Sequence, residues 1–432
     1  MIRIVSLLFS VLILLDVSPV HAAEEPKKVG LDDAKKYAIQ HNFEVLSLRQ
    51  ALEEARARQG RAGSAYFPKL GIAGGADTQI SNINENAAIG YLYGDYNLFN
   101  GFGDSYRTQI AALEEEKAEI RLKRAEFRVG LEVERAFHLY LYKKSTIELK
   151  REAIKLNETH KKMASTRKRS GLAADSDVME FDLKDATLRS DLLLLDQEIE
   201  ETRTVLKKLL GEEVGSKIEP IGSLQHQHMK GNLNDLVKRI KDESEPVLIG
   251  AKDIAISSLE TKSAQSKWLP KLDLEVAAGY LPWDMRQLPS GSAQLSGKLV
   301  ARIDLFSGFE TLYERREAEA KRLRQEAELK TAILSAMTDT ENAYRRISTI
   351  QARVDLEEEN ESRAKKYYAS VMNEYRRGVK NSADLRVAAD GLFEVSLKRE
   401  SFKFEFLNSR LDLEGALGGK VETEVIEDKH KG

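Results

Sequence analysis

The stretches Tyr66-Phe67-Pro68-Lys69-Leu70 and Leu98-Phe99-Asn100-Gly101-Phe102 decide the fold, because both are written a second time, as Trp268-Leu269-Pro270-Lys271-Leu272 and Leu305-Phe306-Ser307-Gly308-Phe309. The first pair is displaced by 202 residues, as is Leu31-Asp32-Asp33 against Leu233-Asn234-Asp235. The second pair is displaced by 207, as are Gly171 and Gly378, Asp177 and Asp384, and Leu210-Gly211 and Leu417-Gly418. One insertion of five residues, around Leu281 to Gly291, accounts for the change of offset. The chain is therefore an internal duplication. It divides into a leader (1–22), a first repeat (23–211), a linker (212–231), a second repeat (232–418) and a tail of mixed charge expected to be disordered (419–432).

Around these motifs the hydrophobic period changes. From Leu31 to Ala65, the residues Leu31, Ala34, Ala38, Val45, Leu48, Leu52 and Ala55 recur at helical spacing, and Pro68 ends the run. Past each Pro-Lys-Leu the period becomes two. Leu70, Ile72, Gly74, Ala76, Thr78 and Ile80 share one face, as do Leu92, Gly94, Tyr96 and Leu98. The second repeat offers Leu272, Leu274, Val276 and Ala278, then Leu295, Gly297, Leu299, Ala301, Ile303 and Leu305. Gln294, Ser296, Lys298, Val300, Arg302 and Asp304 alternate with that last set. The pattern predicts strands at about 68–99 and about 270–306, with Lys298, Arg302 and Asp304 on the polar face.

The stretch from Gly103 to Arg169 has one further glycine and no proline, and Glu310 to Arg377 has neither. Each predicts a single helix of roughly 65 residues, about 100 Å long at 1.5 Å per residue. Return segments carry a coiled-coil seam through Val178, Phe181, Leu188, Leu192, Leu195, Ile199, Leu206 and Leu209, copied as Leu385, Ala388, Leu392, Val395, Phe402, Phe406 and Leu413. The expected architecture is mainly α with a small antiparallel β part. Its unit of helix, β-hairpin and long helical hairpin occurs twice, with hairpin tips at about 170–176 and 377–383.

Composition narrows the function classes. Met1-Ile2-Arg3, the apolar run Ile4 to Leu15 and Val20-His21-Ala22 read as a secretory signal peptide removed after Ala22. The run is roughly a dozen residues, short of the ~20 that a membrane-spanning anchor needs. With no cysteine there are no disulfides, no thiolate metal sites and no thioether lipid. The 67 basic and 70 acidic residues are interleaved and the net charge is −3, so no basic field suits nucleic acid. No apolar stretch after the leader reaches transmembrane-helix length, so any membrane crossing must be made by strands.

Nothing in the sequence predicts catalysis, a cofactor or a metal. His226-x-His228 lies in the linker without a third ligand and reads as a solvated loop. No Gly-rich phosphate loop or Gly-x-Ser-x-Gly elbow occurs, and the many carboxylates stand at helical spacing among Lys and Arg. The alternation also fits an antiparallel sheet covered on one face in a soluble domain, and the helices also fit a non-pore periplasmic or surface coiled-coil structural protein. A membrane reading requires more than one copy. Four strands cannot close a barrel, and an open edge cannot sit in hydrocarbon.

The duplicated aromatic or apolar pair before Pro-Lys-Leu, the Leu-Phe-x-Gly-Phe at each strand-to-helix junction and the glycine of each tip together resemble the TolC family of outer-membrane efflux proteins, over nearly the whole mature chain. The resemblance implies a homotrimer in the outer membrane of a Gram-negative bacterium, with a trimeric α-helical barrel continuous with a 12-stranded transmembrane β-barrel set in outer-membrane lipid. It implies a periplasmic adaptor (membrane fusion) protein and an inner-membrane pump or ABC transporter as partners, for efflux or type I secretion. It also assigns residues. Asp177, Ser176, Tyr375, Lys380 and Asp384 match the periplasmic gate, with a Lys380–Asp177 ion pair and an acidic ring of Asp384. Gly171, Leu172, Gly378 and Val379 match adaptor-docking tips, and Lys298, Arg302 and Asp304 would face the barrel lumen. Val387 stands where the family's best-known member has a second aspartate, so a second acidic ring is not expected.

Overall fold

The computed structural model describes residues 27–78, 86–213, 216, 218–225, 227–288 and 292–426. The leader, Ile80, His226 and the last six residues lie outside them. The first half runs β1 (Lys27–Val29), α1 (Leu31–His41), α2 (Phe43–Gly63), β2 (Lys69–Thr78), β3 (Asn86–Asn100), α3 (Gly103–Arg169) and α4 (Asp175–Leu210). After β4 (Ile218–Pro220) and β5 (Gln227–Met229), the order repeats. It continues as α5 (Leu233–Glu243), α6 (Glu245–Ser266), β6 (Lys271–Tyr280), β7 (Gln294–Arg302), α7 (Glu310–Arg376) and α8 (Ser382–Leu417), then closes with β8 (Thr423–Val425).

The helical period from Leu31 to Ala65 is interrupted at Asn42. Its side chain accepts from Glu44 N at 2.9 Å and Val45 N at 3.4 Å, and its amide donates to Leu209 O at 2.9 Å. A strong N-cap here starts a new helix. Ser244 takes the equivalent extended backbone before Glu245-Pro246, where a proline suits a first turn.

α3 and α7 each span 67 residues, about 100 Å. Two shorter helices in line cover each of them: α2 and α4 lie along α3, α6 and α8 along α7. Neighbours across the protomer are α2–α3–α6–α7 near the sheet and α4–α3–α8–α7 near the tips, leaving α7 on one flank and α2 with α4 on the other. Each half has its own core. Val129, Val133 and Phe137 of α3 pack with Ala34, Ala38, Leu206 and Leu210; Ile347, Ile350 and Val354 of α7 pack with Leu236, Ile240, Phe406 and Leu413. Each large side chain buried this way contributes about 1.5–3 kcal/mol.

The main sheet has the order β2-β3-β6-β7 and is antiparallel throughout. Two small sheets lie elsewhere, β1 parallel with β4 and β5 antiparallel with β8. The tail is thus ordered as far as β8, contrary to the expected disorder, because Lys230 N donates to Glu422 O at 2.9 Å and the Thr423 hydroxyl to Gln227 at 3.1 Å.

β7 also stops short of the predicted 306. Its last residue, Arg302, pairs with Lys271, the first of β6, and the preceding Pro270 has no N–H to extend the ladder. β3 is longer because Tyr96 to Asn100 pair with β6 alone, beyond its last β2 partner at Lys69↔Asp95. Among the described residues, the equivalent residues of β7 have no strand on that side. Asp304 therefore stands exposed beyond the strand instead of within it.

Candidate functional site

The two faces of the sheet differ completely. Register puts Lys69, Tyr93, Asp95, Asn97, Asp273, Glu275, Ser296, Lys298 and Arg302 on one face. There Asn97 donates to Asp273 at 2.6 Å, and Arg302 lies 3.8 Å from Asp273 and 3.6 Å from Glu275. This face is hollow, with Tyr91, Tyr93, Asp95, Glu275, Ser296 and Lys298 around the depression. The opposite face exposes Leu70, Ile72, Leu92, Val276, Leu295 and Leu299, Leu70 at 82% and Ile72 at 81%. Exposed aromatics, Tyr66, Phe67, Phe102, Trp268, Phe306 and Phe309, cluster where strands meet helices. Phe102 and Phe309 sit at positive φ, 67° and 68°, each T-stacked on the phenylalanine three residues before it. Backbone strain of this kind persists only where the surroundings fix it, here by ring stacking.

At the far end, both helical hairpins turn by the same device. Leu172 N donates to Arg167 O and Gly171 N to Lys168 O, at 2.8 and 2.9 Å; Val379 N donates to Glu374 O and Gly378 N to Tyr375 O, at 2.9 and 3.0 Å. These are Schellman ends, with Gly171 and Gly378 at φ +72° and +84° where a Cβ would strain. Leu172 and Val379 project at 69% and 70% exposure.

The next turns differ. Asn381 and Asp384 form a full capping box, the Asn381 side chain accepting from Asp384 N at 2.9 Å and Asp384 from Asn381 N at 3.2 Å. The first tip has half of one. Asp177 accepts from Ala174 N at 2.8 Å, and alanine offers no acceptor in return. Lys380, in the turn before α8, lies 3.9 Å from Asp384, so within the protomer it pairs with the first turn of α8 and not with Asp177, whose carboxylate is engaged as a cap. Ser176 is exposed.

Tyr375 is 1% exposed. Arg167 of the other hairpin stacks 4.6 Å over its ring and donates to its carbonyl at 2.9 Å, while its hydroxyl is 3.4 Å from Ser382. Nearby, His160 Nε2 is 2.8 Å from the Tyr368 hydroxyl, and burial pushes His160 down to about 4. Arg167, His160 and Tyr368 escaped the sequence reading. Arg167 is one of three consecutive basic residues, and only the fold selects it.

A second buried group joins the halves at mid-height. Burial would raise Glu134, but Arg410 and Lys35, both ion-paired to it, outweigh that and hold it below the usual range. Burial pushes the adjoining His138 down to about 4 and raises Glu414. In the linker, His228 Nε2 lies 3.0 Å from Asp355 of α7. Among the described residues no helix is long and apolar enough to cross a membrane.

The model of the outer membrane efflux protein family matches residues 36–212 and 251–419. Among curated proteins none matches. Solved structures similar to this chain include the outer membrane protein VceC of Vibrio cholerae, with TM-score 0.76 and 18% identity over 91% of this chain and 97% of that one. The CmeC outer membrane channel of Campylobacter jejuni gives 0.74 and 14% over 91% and 86%. The open state of the MtrE outer membrane channel of Neisseria gonorrhoeae gives 0.75 and 15% over 90% and 89%.

Proposed function

The chain belongs to the outer membrane efflux protein family, and from that premise we propose that three copies assemble into a channel-tunnel exporting small molecules or polypeptides. One observation carries this reading: a four-stranded sheet, polar and hollow on one face, apolar on the other, with both edges unpaired among the described residues. Three such sheets joined edge to edge make 12 strands, an even number in the range of outer-membrane barrels, and leave no edge in hydrocarbon. The apolar face then meets outer-membrane lipid, the junction aromatics form the interfacial girdle, and Lys298 and Arg302 line the lumen. Asp304, just beyond β7, joins them at the lumen mouth. The 67-residue helices extend the passage through the periplasm. The two flanks of the protomer are different surfaces, which suits a closed head-to-tail ring.

In this reading residues 1–22 are a cleaved export signal. Gly171, Leu172, Gly378 and Val379 are the docking tips for a periplasmic adaptor linked to an inner-membrane pump or ABC transporter, the last in type I secretion. Lys380, Asp384, Asp177 and Ser176 carry the gate's polar contacts, and Tyr375 latches the hairpins from within. Lys380→Ala with Asp177→Ala should raise single-channel conductance in planar bilayers. Unchanged conductance would remove the gate assignment, and recovery of the mature chain as a soluble single copy would remove the channel.

A further inference from the structure

Because the halves share one order of elements, every contact between the first half and the second has a counterpart one step further round a closed ring, between the second half and the next copy. The counterparts are found by moving each residue to its equivalent in the other repeat. In such a ring the seam between copies repeats the seam inside the chain in register, and we propose that near the tips it is apolar where the inner seam is ionic. The proposal rests on the ring reading above and adds the residues that meet.

Three places carry it. Near the tips, Glu180 of α4 meets Arg386 of α8 at 3.4 Å, and Lys184 meets Asp390 at 2.7 Å. Their counterparts across the seam are Val387 against Met179 and Gly391 against Leu183. Met179, Leu183 and Val387 are 63%, 71% and 59% exposed, and Gly391 has open space where a Cβ would stand. Four charges become three exposed apolar side chains and a gap that can receive one of them. Val387 thereby acquires a contact.

At mid-height, Glu134 pairs with Arg410 and lies 4.0 Å from His138. The counterparts are Glu341 and Arg203, opposite charges again. Glu341 is already 2.7 Å from Arg345, the equivalent of His138, and the Nε of Arg203 is buried without a partner.

In the sheet, β3 pairs with β6 through Gly94↔Val276 and Tyr96↔Leu274. The counterparts join β7 to β2 of the next copy as Ala301↔Gly74 and Ile303↔Ile72. This supplies the strand that residues beyond Arg302 lack, and it pairs two isoleucines that stand 55% and 81% exposed on the apolar side.

The natural absence of cysteine makes the test clean. Ile72→Cys with Ile303→Cys in the full chain, oxidised in outer-membrane preparations, should shift the denatured band to the masses of two and three linked chains. Ile303→Cys with Ala76→Cys, displaced by four residues or about 13 Å along the strand, should not. Tyr96→Cys with Leu274→Cys should link without a mass shift, marking the inner seam. Met179→Cys with Val387→Cys, bridged by a short bifunctional thiol reagent, tests the tips independently of strand pairing, with Met179→Cys and Glu394→Cys as the displaced control. Three-copy particles that fail to link at both positions, or that link equally well in the displaced pairs, overturn the register and leave the ring standing. A chain that stays single overturns both.

Discussion

The two hairpin tips share a backbone and differ in what holds them. Both end in the same Schellman turn on a glycine, yet the second has a complete capping box and a buried tyrosine, where the first has half a box and, in the tyrosine's place, Lys168. The second tip is also tied to the first hairpin through Arg167 and His160, two contacts made by α3. The turn is common to both copies, and the residues around it seat the second tip on the first hairpin. Displacing the second tip requires breaking a cation–π stack, two half-buried hydrogen bonds and a small cluster of Met372, Tyr375 and Leu385 with Met163.

The contrast breaks most visibly at Tyr375. Tyr375→Ala should lose about 3–5 kcal/mol of local stability, as deletions of large buried side chains do. Amide exchange around residues 372–385 should then accelerate by about two to three and a half orders of magnitude, on the scale of about 1.4 kcal/mol per tenfold. Lys168→Ala, at the equivalent place, should stay within about 0.5 kcal/mol, and equal effects at the two positions would erase the distinction.

Acid should weaken the seating next. His138 and His160 titrate near 4 when folded against a usual 6.5, so both are neutral in the folded chain while the unfolded chain takes up protons below 6.5. Their contribution is intact above 6.5 and is lost as pH falls towards 4, by up to about 3 kcal/mol for the more deeply enclosed His138. Thermal unfolding from pH 7 to 4.5 should show the decline. His160→Phe should flatten it at the tips, read by hydrogen exchange, and an unaltered profile would remove His160 from the linkage.

Smaller effects sharpen the capping difference. Asn381→Ala should destabilise the start of α8 by about 1 kcal/mol, whereas Ala174→Asn should stabilise the start of α4 by a similar amount through completing the missing half-box. The same sign for both, in exchange rates over the first turns, would contradict the reading. Smallest of all should be the difference between Gly171→Ala and Gly378→Ala. Each costs about 1 kcal/mol for the same left-handed conformation, so the two should agree.

Most of the architecture was readable in the sequence because periodicity and duplication are one-dimensional signals. The alternation of residues 70–78 and 294–302 and the uninterrupted stretch after Gly103 needed no third dimension. What escaped depends on partners distant in the chain. Asn42 looks like one polar residue among several until Leu209 O meets it. β7 ends where its neighbour ends, so its length cannot be read from its own residues. At the tips, Asp177 and Asp384 were visible as charges and assigned to a gate, while their work inside the protomer is to cap helices. A carboxylate three residues past a cap position is legible as a box member only when the cap itself can accept, which Asn381 can and Ala174 cannot.

The unequal strands also bear on how the assembly is made. β3 completes its ladder within one polypeptide; in the ring proposed above, β7 would complete its own only when another polypeptide arrives. On that reading an intermediate of one or two copies would still present two raw edges and an oily sheet, which only the last copy removes. The species exposed to proteolysis and mispairing along the way would then be the ones that have not yet met their last neighbour.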